Sequence, residues 1–185
     1  MSLPKKPISE RNAAAAVMDG IFSLVDERWF QVWEPVAHVI ADQGKSIPKP
    51  EFARFNFSLA ILAVNFRATF DLFPQAQAER IFGQMMGLLE LQIGNPQGFT
   101  AVKNAVMKYI EAYNNGIIAI RNPLNDVAML YYFKIGLENT KQTIVDETYY
   151  IPEPRIVDLS MRGMMMFMGR WELLLERYEL VGEAG

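Results

Sequence analysis

Apolar residues recur along this chain at the three-to-four spacing of helices, with proline and glycine as punctuation. Pro50, Pro74, Pro96 and Pro123 each open such a segment, and Gly44, Gly94 and Gly116 stand where segments should stop. Proline suits a helix's first turn, where its missing N–H has no bond to lose, and glycine suits the position after the last turn. Asn95-Pro96 and Asn122-Pro123 are the sharpest starts, because asparagine caps the free N–H groups of a first turn.

The pattern predicts about six helices. The first runs from about Ser9 to Gln43, kinked or broken at Pro35. The next three run from Pro50 to about Leu72, Pro74 to Ile93 and Pro96 to Asn115. The fifth starts at Pro123 and ends between Leu137 and Thr148; the sixth runs from about Val157 to Leu180. Ile117 to Arg121 reads as a short strand or a buried linker. Ile151-Pro152-Glu153-Pro154 must be extended, since each proline pushes its predecessor out of the helical region. No segment alternates with period two long enough to predict a sheet, and no linker divides the chain. The expected fold is all-α: a single-domain bundle around a central apolar helix. A flexible arm is expected over residues 1–8, the helical domain over 9–181 and a frayed tail over 182–185.

The central helix is the second. Phe52, Phe55, Phe57, Leu59, Ile61, Leu62, Val64, Phe66 and Phe70 surround it almost completely, which places it inside a bundle. Asn56, Asn65 and Thr69 would then be buried and need partners. Gly83 and Gly87, four apart on the third helix, predict close packing of another backbone there.

Composition narrows the function. Of 185 residues, 51% are apolar, enough for one sizeable core. The balance of 18 basic and 21 acidic residues leaves a net charge of −3, which gives no electrostatic basis for binding nucleic acid or an anionic membrane. One histidine and no cysteine exclude zinc fingers, iron–sulfur clusters, thiol nucleophiles and multi-histidine metal centres. Asp19 interrupts the run from Ala13 to Met18 that would otherwise resemble a signal peptide. Phe55 to Phe66, bracketed by Arg54 and Arg67, is far short of the ~20 residues that span a membrane. A cytoplasmic protein without membrane association is expected.

Little catalytic chemistry is legible. Glu34, His38 and Asp42 stand four apart and would form a ladder on one helix face. Such a ladder could act as acid and base or, with a further ligand, hold a metal; its ordinary reading is a solvated face. There is no Glu-x-x-His pair, Gly-x-Ser-x-Gly elbow or dinucleotide fingerprint, and Gly44-Lys45-Ser46 lacks the rest of a phosphate loop. No cofactor is implied.

Met161 to Trp171 is the unusual segment, rich in methionine. On one continuous helix Met164, Phe167, Met168, Trp171, Leu174, Leu175 and Tyr178 would form a core stripe. Met165, Met166 and Leu173 would form a back ridge, flattened by Gly169 and rimmed by Arg162, Arg170 and Arg177. The ridge is either sandwiched inside the bundle or meets a partner. The function expected is a non-enzymatic interaction protein, homodimeric or binding a partner helix through Met165, Met166, Gly169, Leu173, Arg162 and Arg177. One alternative is a helical binder of a small apolar or amphipathic ligand; another is an enzyme using Glu34, His38 and Asp42.

Overall fold

The computed structural model describes residues 4–144 and 147–182, and of these residues 142–144 and 147–149 by their backbone alone. Strand β1 (Lys6–Ser9) leads into helix α1 (Glu10–Asp42), whose N-terminus Ser9 caps by accepting a bond from the Asn12 N–H at 3.3 Å. α1 continues through Pro35 without the predicted break. Gln31, whose carbonyl loses its helical donor, and Pro35 are both on the solvent side, where water can satisfy that group.

Helix α2 (Pro50–Leu72) is the central element of an all-α, single-domain bundle, packed against α1 and the helices that follow. Every residue from Leu59 to Phe66 is buried. The apolar wrap does not extend to its ends: Phe52, Phe55 and Phe70 remain about half exposed. The three buried polar residues have the partners they need. Asn56 donates to the Phe52 carbonyl, Thr69 to the Phe66 carbonyl, and Asn65 to the carbonyls of Ile61 and Phe167.

Helix α3 (Gln75–Ile93) ends at Gly94, which adopts the left-handed conformation. Nothing packs on its glycines, contrary to expectation: no atom lies within 4 Å of the space a Cβ would fill at Gly83 or Gly87. Helix α4 (Pro96–Ile118) passes the expected stop at Gly116. That glycine is a packing position, where a Cβ would strike Pro123 at the start of helix α5 (Pro123–Lys134). Ile117 to Arg121 is therefore neither strand nor buried linker. It is a helix end and turn, with Ile120 left-handed (φ 54°) and almost wholly exposed.

Two small sheets correct the expectation of none. Strands β2 (Thr140–Ile144) and β3 (Glu147–Ile151) pair antiparallel, Thr140 opposite Ile151. Five residues each are too few for a clear period-two signal, although β-branched and aromatic side chains favour the state. Strand β4 (Tyr178–Val181) pairs parallel with β1, Lys6 opposite Tyr178 and Ser9 opposite Val181. The expected arm over residues 1–8 is thus held from Lys6 onward; its first three residues, and 183–185 of the expected tail, lie outside the described residues.

The sixth helix is also corrected. Helix α6 (Pro154–Met165) stops, Gly169 turns the chain at φ 73°, and a short helix α7 (Arg170–Leu175) follows. Glycine enters the left-handed region without the Cβ clash other residues suffer. Among the described residues no helix is long and apolar enough to cross a membrane.

Glu10 ties α1 to α3. Its buried carboxylate accepts from Arg80 Nη2 at 2.8 Å, Arg80 Nε at 3.1 Å and the Gln77 amide at 3.2 Å. The Arg80 guanidinium holds its carboxyl below the usual range, against the opposing effect of burial. A depressed folded-state value gives stability that is present above the unfolded carboxylate's ~4.3 and is lost as pH falls through the folded value. Glu10→Gln should therefore destabilise the protein by about 1–3 kcal/mol at pH 7. Denaturant titrations between about pH 3 and 6 should show a flatter acid limb in the variant; an unchanged limb would contradict this assignment. The glycines give a second test. A Cβ at buried Gly163 would drive into the Val32 side chain, itself in the core. Gly163→Ala should cost about 1–3 kcal/mol, whereas Gly83→Ala should stabilise by about 0.5–1 kcal/mol, both read as thermal midpoints.

Candidate functional site

The methionine segment divides between core and surface. Met164, Phe167 and Trp171 are buried, as the core stripe requires, while Met165, Met166 and Leu173 are 56%, 42% and 49% exposed. The turn at Gly169 decides their neighbours. Asn65 on α2 donates to the Phe167 carbonyl at 3.3 Å, and the Trp171 indole N–H donates to the Asn65 carbonyl at 3.2 Å, so both sides of the turn are bolted to the central helix. Met165 and Met166 end α6, whereas Leu173 lies beyond the turn against α1. They do not form one ridge on one helix. Arg162 binds Asp158, four residues back on α6, at 2.8 Å. Arg177 is exposed and, like Leu173, borders the α1 depression.

α6 carries a second methionine surface that the helical wheel did not reveal. Met161, one turn before Met165, lines a groove of about 290 Å³ between α5 and α6. Met129, Ile151, Pro152, Pro154 and Val157 complete most of its lining. Two asparagine amides hold the thioethers, Asn122 on Met161 and Asn125 on Met129, each at 3.4 Å. The signal in the sequence was the pairing of Met129 on one helix with Met161 on the other, and no period within a single helix reports that.

A larger groove, about 460 Å³, lies among α1 to α4. Leu59, Leu62, Leu89 and Val102 give it an apolar lining, and Arg54 meets Asp26 at 3.0 Å beside it. Phe22 and Asp26, four apart on α1, line it from that helix.

The acid–histidine ladder is a solvated face. His38 Nε2 lies 3.6 Å from Asp42 Oδ2, with the two side chains 77% and 54% exposed. Glu34 is exposed one turn earlier and completes no bonded triad. Among the described residues no group of three or more acidic, histidine or cysteine side chains is placed to hold a metal. The strongly perturbed groups are elsewhere and structural: burial raises the phenols of Tyr109 and Tyr131 in the core.

No protein-family model matches the chain, and no match was found among curated proteins or solved structures. The functional reading therefore rests on the surface itself.

An exposed histidine–aspartate contact contributes little, so His38→Ala should shift unfolding free energy by less than about 0.5 kcal/mol. A loss several times larger, measured by urea denaturation, would show that the ladder carries structural weight.

Proposed function

We propose that this chain is a non-enzymatic interaction protein that pairs with a second copy of itself through the methionine face of α6. The observation that carries this reading is the exposure of Met165 and Met166, one turn beyond the groove that Met161 and Met129 line. Monomers seldom leave contiguous apolar side chains in water without a use for them, and methionine's unbranched, polarizable side chain adapts to a facing surface. The charges beside it favour a second copy. Asp158 and Arg162 stand four apart on α6. A two-fold axis across this helix would set Arg162 of each copy opposite Asp158 of the other, the self-complementarity that an isologous contact needs.

A second reading is favoured by the α1–α4 groove, whose apolar lining and adjacent Asp26–Arg54 pair suit a small amphipathic molecule. Ser58→Trp, which would fill that groove, tests it in any ligand-binding assay.

The first reading predicts that the chain runs as a dimer in size-exclusion chromatography with light scattering. The double variant Met165→Glu with Met166→Glu should be monomeric, with folding stability within about 0.5 kcal/mol of wild type because both positions are exposed. A wild-type chain still monomeric at about 100 μM, where even a weak dimer of micromolar Kd would assemble, would overturn it.

A further inference from the structure

A third depression, about 280 Å³, lies between the first half of α1 and the α7 segment, and its charge is one-sided. Arg170 and Arg177 both line it, and no acidic residue does. Six other arginines, Arg54, Arg67, Arg80, Arg121, Arg155 and Arg162, each hold a carboxylate, and among the described residues Arg11 and Arg28 do not. Among the described residues no carboxylate pairs with Arg170 or Arg177. One Arg170 nitrogen, Nη2, donates to the Met166 carbonyl at 3.3 Å, which holds the side chain across the turn. Its Nε–H is buried with no acceptor. A buried donor without an acceptor is costly, and a charged one more so. The rest of the lining is apolar or small: Leu173, Leu174, Val17, Ala16 and Gly20, with Tyr178 adding a phenol.

We infer that this pocket binds a small amphipathic carboxylate. The planar guanidinium fork matches a carboxylate in two parallel bonds, so Arg170 and Arg177 take the head group. Leu173, Leu174 and Val17 take the apolar body. Gly20 is what leaves the pocket open, since no atom lies within 4 Å of the space its Cβ would fill. The site is separate from the methionine face and does not depend on dimerisation.

The test is calorimetric titration of the full chain with octanoate, with octanol and octylamine as matched probes. Saturable one-to-one binding of octanoate is expected, with octanol at least about tenfold weaker and octylamine not bound. Gly20→Leu should abolish binding while the protein stays folded, because its added side chain enters open space. Exposed Arg177→Gln should weaken binding about tenfold without touching the core. Ser58→Trp and Met165→Glu, outside this pocket, should leave octanoate binding unchanged. Absence of saturable binding, equal affinity for octanoate and octanol, or binding unaffected by both Gly20→Leu and Arg177→Gln would overturn the assignment. So would loss of binding in Ser58→Trp, which would move the site to the α1–α4 groove.

Discussion

A helix enclosed by protein on every side can keep a polar side chain only where that side chain finds partners, and Asn65 sits where two segments meet. Its amide donates within α2 to Ile61 and across to Phe167, and its own carbonyl receives the Trp171 indole. Water is excluded there, so losing either cross-bond would leave a buried donor unsatisfied. The constraint is mutual. α2 sits centrally because the chain returns to it at Phe167 and Trp171, and the break between α6 and α7 leaves the Phe167 carbonyl, which a continuous helix would give to the Trp171 backbone N–H, to Asn65. Gly169 is the residue that permits the turn.

The outer helices follow from that centre. Because α2 touches α1, α3, α4, α5 and α7, each outer helix meets its neighbours only along a seam, and the seams leave the grooves. Close contacts seal some of them. Gly163 lets α6 approach Val32 on α1, and Gly116 lets α4 approach Pro123. Where glycine stands without a neighbour, as at Gly20, the seam stays open. The same residue type thus lets one helix pair close and leaves another seam unfilled, according to whether anything lies opposite.

The sequence made the centre of this fold legible and its edges obscure, for a physical reason. Periodicity reports burial around a helix, so α2 and its need to satisfy Asn56, Asn65 and Thr69 could be read directly. Proline and asparagine report starts well, because the backbone chemistry of a first turn is local: Asn95 and Asn122 cap the helices as expected. Glycine reports stops less well. Gly94 ends a helix, whereas Gly116 lies inside one because its value there is close packing against a residue distant in space. The parallel pairing of Lys6–Ser9 with Tyr178–Val181 joins the two ends of the described chain, and no local pattern encodes such a contact. Of the candidate site, it was legible that Met165, Met166 and Leu173 lie off the core stripe, but not whether they were sandwiched or exposed. Their separation onto two surfaces was not legible either, because one left-handed glycine reorients everything after it.

That separation bears on function more than the methionine count does. On a continuous helix, Met165, Met166 and Leu173 would present one apolar stripe and the arginines would only rim it. With the turn at Gly169, the methionines extend the α5–α6 surface, where the Asp158–Arg162 pair supplies both signs of charge. Leu173 moves to the α1 side, where Arg170 and Arg177 supply only one. A surface with both signs can face a copy of itself, because each charge then meets its opposite. A pocket with one sign cannot, and its charge is compensated best by an anion small enough to enter. The two readings therefore concern different ligands at different places, and the residue that divides them is the same glycine that lets Asn65 close the core.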